Sequence, residues 1–421
     1  MKKIQIVAIT DIEHSSPRIP NLLYYLDKDK YELFLVGANF AEYLTKEDLP
    51  PDFFERIKTS FFRRKINIFS SLKRNIENSN IISDKGKKST IYLYFRKMLI
   101  NFLLSINFPD QYIFTVNKYL KNFNSLRLKG DVLLLSSSPY PTSHIAAYKI
   151  KSNSKLDIKW IADYRDLWSL NSNYSFNSLR LFFEKKYEKK ILQLADRVVT
   201  VSDPWAIKQG ELLSRKIDVI PNGYTIPSES YNLKTNSNLP LLKKQKIYIL
   251  YVGAIYFSSQ DVSMFFNSLK NIDMDNIEIH FIGRHSYELD LLIKQNKLEN
   301  NVKQIGKLSR AESQKLQKLY DYLLFFDLKD DDGWVLLKFY EYIGANKPII
   351  CIGGANKTAH KKIMHKLSRG KILLNEEQII DFFKSVQKLS NEKINLEDSF
   401  AYSYKTQSKK MENLIDSIYN N

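Results

Sequence analysis

The chain has a single cysteine in 421 residues, Cys351. No disulfide can form within it, and a reducing cytoplasmic setting is expected. No uninterrupted apolar run reaches the ~20 residues that a membrane-spanning helix requires. The opening MKKIQIVAIT pairs two lysines with a short apolar run, but Asp11, Glu13 and His14 interrupt it at once. With no small-residue cleavage site behind it, the segment reads as a first buried strand and not as a signal peptide. No G-x-G-x-x-G follows that strand, which excludes the dinucleotide fingerprint of a Rossmann dehydrogenase. Tandem repeats are absent, and low complexity is confined to Lys/Asn/Ser patches.

What is present in excess is positive charge. Lys plus Arg number 64 against 46 for Asp plus Glu, a formal net charge of +18. A surplus of this size points to an anionic partner: nucleic acid, an anionic membrane surface, or phosphorylated small molecules. A compositional bias toward Lys, Asn, Ile, Tyr and Phe accounts for part of it. The 44% hydrophobic and 26% charged content is ordinary globular composition.

The length favours more than one domain. Short apolar runs alternate with helix-period segments, the pattern of parallel α/β architecture. Strands are predicted at Ile4–Ala8, Tyr31–Val36, Asp131–Ser136, Lys159–Ala162, Arg197–Val201 and Ile217–Ile220. The series restarts at Tyr248–Val252, Ile277–Ile282, Val302–Gly306, Tyr322–Phe326, Pro348–Ile352 and Lys371–Leu374. Between them Thr225–Lys244 is polar, Pro-containing and aperiodic, so a linker is placed at 226–240. Expected domains are therefore 1–225 and 241–395, with a terminal helical segment, 396–421. Ligands of such sheets bind outside the carboxyl ends of the strands.

The stretch Gly333–Pro348, GWVLLKFYEYIGANKP, carries the most chemistry. An acidic loop (Asp330, Asp331, Asp332) ends at Gly333, a helix is expected straight after it, and Gly344 and Pro348 are expected to end that helix. A helix N-terminus behind a glycine suits a diphosphate. Lys338 and Glu341 share one helix face, so Lys338 could neutralise phosphate while Glu341 accepts from ribose hydroxyls. On spacing alone the pair reads more simply as a surface ion pair.

The segment resembles the nucleotide-binding helix of the family-4-like glycosyltransferases. Further pieces are similar in the same order: LLLSSSPYPTSHIAAYKIK (133–151), WIADYRDLW (160–168), ADRVVTVSD (195–203), VIPNGY (219–224), YVGAIYFSSQD (251–261) and FIGRHS (281–286). The resemblance covers residues 131 to about 360. It implies a GT-B fold, α/β, with two Rossmann-like domains whose parallel sheets face a central cleft: an N-terminal acceptor domain and a C-terminal donor domain, with the terminal helix of 396–421 crossing back to the first. It also implies transfer, with retention, from a nucleoside diphosphate sugar to a hydroxyl of a saccharide or lipid-linked saccharide, in cell-surface polysaccharide biosynthesis. Donor contacts then fall on Gly253, Arg284, Gly333, Trp334, Val335, Leu336, Lys338 and Glu341. The catalytic candidates are Asp163, Arg165, Asp166 and His144, and Ser137, Ser138 and Thr142 line the acceptor side. Structural alternatives remain for several: an internal ion-pair network for the carboxylates, helix capping for the hydroxyls. No cofactor and no metal is expected, the nucleotide sugar being a co-substrate.

The sequence departs from that family in three places. Gly333 stands where many members carry a sugar-side glutamate, leaving Asp331 or Asp332 to replace it. The loop GAIYFSSQD has no Arg or Lys for the diphosphate, and the loop TDIEHSSPRIP has no glycine. A sugar-nucleotide epimerase on the same fold is the alternative enzyme, and a basic nucleic-acid-binding protein the more distant one. The insert at about 55–100 holds twelve Lys or Arg against three acids. With Arg63, Arg64, Lys65, Lys73, Arg74, Lys87 and Lys88 among Phe61, Phe62, Phe69 and Tyr92, it has the chemistry of an interfacial contact with anionic lipid. A peripheral position on the inner face of the plasma membrane is expected from it, a solvated loop being the alternative.

Overall fold

The computed structural model describes residues 3–11, 17–38, 52–62, 108–110, 112–172, 177–225, 242, 245–270, 272–386 and 396–420. The chain forms two compact units, one from Met1–Thr200 and Lys208–Asp218, the other from Val201–Ile207 and Val219–Tyr419. The insert beyond Phe62 lies outside the described residues, as does nearly all of the expected linker.

In the first unit the strands are β1 (Ile4–Asp11), β2 (Tyr31–Ala38), β3 (Ile57–Phe62), β4 (Val132–Ser137), β5 (Ile158–Tyr164), β6 (Arg197–Thr200) and β7 (Asp218–Val219), in the order β3-β2-β1-β4-β5-β6-β7. The pairs from β3 to β6 are parallel. Every residue of β4 is buried, which is why VLLLSS is an unbroken run: a central parallel strand is covered on both faces. All the strands expected from the sequence are present, and β3 was missed. Its half-polar sequence IKTSFF sits at the sheet edge, where one side of the ladder has no neighbour. There Phe62, partly exposed, packs edge-on against Tyr119 at 4.8 Å.

The second unit carries β8 (Ile247–Val252), β9 (Ile277–Ile282), β10 (Val302–Gly306), β11 (Tyr322–Phe326), β12 (Ile349–Ile352) and β13 (Gly370–Leu373), in the order β10-β9-β8-β11-β12-β13. All of its pairs are parallel. Alternate residues of β8 serve opposite faces: Tyr248 and Leu250 join Phe325, Phe339 and Tyr342 in one apolar cluster, while Ile249 and Tyr251 join Phe265, Phe281 and Phe326 in the other. Two such clusters give the unit a core on each side of its sheet.

Two details of the nucleotide-helix segment differ from expectation. The helix spans Leu337–Ala345 and does not begin at Gly333, because the Asp331 carboxylate accepts from the backbone N–H groups of Gly333 and Trp334 at 2.9 and 3.0 Å and holds them in a turn. Nor does Gly344 end it. Asn346 does, in the left-handed region at φ 58°. Gly344 stays inside the helix because a Cβ there would lie 2.4 Å from the Tyr224 ring.

In both sheets the strand order reverses at one place, between β1 and β4 and between β8 and β11. That reversal opens a crevice at the carboxyl ends. In the first unit the crevice is anchored by an ion pair with no exposure on either side chain. Arg18, just after β1, reaches Asp163 on β5 with contacts of 2.7, 3.0 and 3.2 Å. Removing one partner leaves an uncompensated buried charge, so Arg18→Ala should cost about 3–5 kcal/mol in urea denaturation. Asp163→Asn should cost as much, since Arg18 cannot shed its proton and is left charged and uncompensated. Equal and small losses would show that the pair holds nothing.

Candidate functional site

In the first unit the register sets Ser137 on β4 beside Asp163 on β5. The Ser137 hydroxyl donates to Asp163 at 2.8 Å, the carboxylate that Arg18 also grips. Just beyond, the Ser138 hydroxyl donates to the Asp166 carbonyl at 2.9 Å, and Asp166 pairs with Arg165 at 2.6 Å. Thr142 opens the helix Pro141–Asn153. Its hydroxyl and N–H both donate to Asp110, at 2.6 and 2.8 Å, so this helix is capped from 32 residues away.

His144 lies on that helix, wholly buried. The Trp160 indole N–H donates to the Ser136 hydroxyl at 2.8 Å, and that hydroxyl lies 2.7 Å from His144 Nδ1. The serine hydroxyl thus bridges the indole and the imidazole. Burial lowers the imidazole pKa to about 3 against the opposing pull of Asp163. The ring stacks on Tyr164 at 4.5 Å. These surroundings suit a neutral packing histidine.

In the second unit Gly253 and Gly283 follow β8 and β9. A Cβ on Gly283 would lie 2.7 Å from the Gly253 carbonyl oxygen, so only glycine lets the two turns approach. Against Gly253 lies Lys338, the second residue of the helix Leu337–Ala345. Its ammonium donates to the Tyr251 hydroxyl at 2.5 Å and the Ala254 carbonyl at 2.9 Å. Desolvation lowers its pKa to about 7, with Glu341 pulling the other way. No side chain caps the start of this helix, where backbone N–H groups lack the i−4 partner of a helix interior. Arg284, after β9, is exposed. Val335 and Leu336 bury their side chains, so what they can offer a ligand is backbone; Trp334 is half-buried and packs near Tyr256 at 6.2 Å.

Glu341 is held by Arg310, from the helix Arg310–Leu319, through two contacts of 2.8 Å. It lines a groove with Tyr224, Gln314, Lys318 and Gly344. Asp331, a candidate for the missing sugar-side carboxylate, is occupied: beyond the two backbone N–H groups it accepts from Trp205 Nε1 at 2.9 Å, residues 201–207 belonging to this unit. Behind the helix start, His360 Nε2 accepts from the Leu336 N–H at 3.0 Å while Nδ1 lies 2.8 Å from Asp327. That arrangement requires the proton on Nδ1, facing the carboxylate. It fixes the backbone from which the helix starts.

Sequence reasoning thus missed Arg18, Asp110, Arg310, Asp327 and His360, each of which acts through a residue it did name. None shares a local motif with its partner, so no spacing signal could have found them.

One buried group makes the first unit sensitive to pH. Burial raises the Glu188 carboxyl to about 7, Ser169 and Tyr164 opposing the rise. Its unfolded value is about 4.5, so between these limits the folded chain holds the extra proton. Stability therefore falls as pH rises from about 4.5 to about 7, and the loss is complete above that. Glu188→Gln should remove this fall, gaining on the parent between pH about 5 and about 8 by at most roughly 3 kcal/mol. A difference independent of pH in denaturation curves would refute it.

No family model matches the sequence and no curated protein matches it, but solved structures match its fold. A glycosyltransferase from Rickettsia africae superposes with a TM-score of 0.63 at 14% identity, over 100% of both chains. HepE of Anabaena in complex with UDP gives 0.61 at 11% identity, covering 99% of this chain and 100% of that one. The Listeria monocytogenes protein described as a UDP-N-acetylglucosamine 2-epimerase gives 0.57 at 12% identity, over 100% and 97%. Two parallel α/β units in succession, matched along their whole length to these chains, have the GT-B fold.

Proposed function

We propose that the chain is a glycosyltransferase that moves a sugar from a nucleoside diphosphate sugar to a hydroxyl acceptor. The observation that carries the reading is the convergence at the ends of β8 and β9: two glycine turns in contact, an uncapped helix start, and Lys338 against Gly253. Backbone N–H groups, a positive dipole end and an ammonium together fit a diphosphate. The nucleoside would extend along the helix to Glu341, whose carboxylate Arg310 orients toward the ribose hydroxyls. Arg284, exposed nearby in sequence to the same turn, would add charge. The donor backbone would come from Gly253 and Gly333 to Leu336.

The reaction breaks the bond between the anomeric carbon and the diphosphate oxygen and forms one to the acceptor oxygen, whose proton passes to the departing diphosphate. Holding both reactants and stabilising the departing diphosphate supply the rate. Lys338, Arg284 and the helix start would neutralise that charge without a metal. On the acceptor side Ser137, Ser138, Arg165 and Asp166 stand at the carboxyl ends of β4 and β5, with Thr142 behind them and Asp163 and His144 in the supporting layer. A saccharide or lipid-linked saccharide acceptor, retention of configuration and a place in cell-surface polysaccharide biosynthesis, at the inner face of the plasma membrane, belong to the same proposal. Similarity to an epimerase structure favours a second reading in which the donor alone reacts. Incubation with candidate nucleotide sugars separates them: release of nucleoside diphosphate that depends on an acceptor supports transfer, and an epimerised nucleotide sugar without release supports the alternative.

Two variants test the donor site. Diphosphate beside Lys338 restores its charge, so at pH about 8 binding of a nucleoside diphosphate should take up close to one proton. Calorimetry in buffers of different ionisation heat reads this directly. Lys338→Met should abolish the uptake and weaken the diphosphate about 10- to 100-fold, with the free nucleoside nearly unaffected. Equal losses for both ligands would remove Lys338 from the diphosphate.

Glu341→Gln should weaken the nucleoside itself by a similar factor, since a charged acceptor is lost. Arg310→Ala should weaken it less, because the carboxylate remains and only its orientation is relaxed. An Arg310→Ala loss larger than that of Glu341→Gln would assign the contact to the arginine.

A further inference from the structure

The helix Ser178–Leu192 in the first unit is built inside out. Its buried residues are Glu184, Glu188, Ile191 and Leu192. Its outward positions carry Leu179, Phe182 and Phe183, which are 68%, 53% and 51% exposed. The carboxylates are inside for a stated reason: Trp168 Nε1 donates to Glu184 at 2.5 Å, Arg180 pairs with it at 3.2 Å, and the Ser169 N–H donates to Glu188 at 3.1 Å. These bonds fix the helix's rotation about its axis. The phenylalanines therefore face outward as a consequence of well-made internal contacts.

The same rotation sorts the charge. With both glutamates turned inward, the exposed positions of the helix are Ser178, Leu179, Phe182, Phe183, Lys186, Lys189 and Lys190, with no carboxylate among them. The Lys186 ammonium lies 5.0 Å from the centre of the Phe182 ring. Leucine and phenylalanine at one end of a face and lysines along the rest is the composition of a helix that lies in a lipid headgroup layer, the apolar groups entering and the cations meeting anionic lipid.

We propose that this face docks on an anionic membrane surface, with Phe182 and Phe183 as the inserted groups. A second copy of the chain fits less well, because a contact through this face would bring together two surfaces that each carry three exposed lysines and no exposed carboxylate. The proposal stands whether or not the donor-site reading holds, since no residue in it belongs to that site.

The test is co-sedimentation of the full chain with vesicles of phosphatidylcholine containing about one third phosphatidylglycerol, against phosphatidylcholine alone. Binding should require the anionic lipid and weaken with salt through screening. Phe182→Ser with Phe183→Ser should lower the partition coefficient roughly tenfold or more, about the worth of burying one phenyl ring, with the melting temperature unchanged. Lys186→Ser with Lys189→Ser and Lys190→Ser should lower it independently. A Phe183→Trp chain should show added emission quenched by brominated acyl chains, which a purely structural residue would not. The proposal is overturned if both sets of variants bind as the parent does, or if neutral vesicles bind as well. It is equally overturned if Arg63→Ser, Arg64→Ser and Lys65→Ser abolish binding while the helix variants keep it, or if the parent is a dimer that the phenylalanine variants make monomeric.

Discussion

A parallel strand hydrogen-bonded on both sides and covered on both faces can present chemistry only where it ends. Both sheets of this protein obey that constraint, and it decides where the candidates at and just beyond the strand ends lie. β4 and β5 end at Ser137 and Tyr164, and β8 and β9 run out into Gly253 and Gly283. The strands' interiors, from VLLLSS to YLLFF, are entirely buried and serve only to hold those ends in register. Glycine is needed at the second pair of ends because two backbones touch there. Serine and aspartate suffice at the first, where side chains bridge the gap.

Charge inside the protein is handled by pairing at each end. Asp163 is matched by Arg18 and Glu341 by Arg310, while Asp327 lies 3.9 Å from the Lys361 ammonium and 2.8 Å from the neutral His360. An unpaired buried charge would be far costlier. These partners do more than neutralise. Arg18 fixes the carboxyl end of β5, His360 fixes the backbone at the start of the helix Leu337–Ala345, and Arg310 sets the direction of Glu341. Lys338 differs in having hydroxyl and carbonyl partners and a pKa lowered to about 7. A group held near neutrality at the edge of losing its proton gains most from an arriving phosphate.

The large positive charge is partly resolved by the same bookkeeping of faces. On the helix Ser178–Leu192 the acids are drawn inward by Trp168, Arg180 and Ser169, so the lysines that remain outside have no local counterions on that helix's exposed face. Internal hydrogen bonding therefore produces external basicity. It also turns Phe182 and Phe183 outward, which average composition could not foretell.

By itself the sequence determined the alternation of strands and helices, the restart of that pattern in the second half, and the segment Gly333–Pro348 as a helix flanked by turns. These follow from periods of two and 3.6 residues and from local turn chemistry, which near neighbours in the chain impose. It also determined Lys338 and Glu341 as neighbours on one face, a matter of helical spacing alone. Only the tertiary structure decided the rest. Arg18 meets Asp163 across 145 residues, Asp110 caps Thr142 from outside its helix, and Gly344 makes room for a ring 120 residues earlier, Tyr224. The edge strand β3 escaped notice because an edge needs no continuous apolar run. The helix Ser178–Leu192 shows the reason most directly: its residues permit several rotations, and the partners that choose one lie elsewhere in the chain.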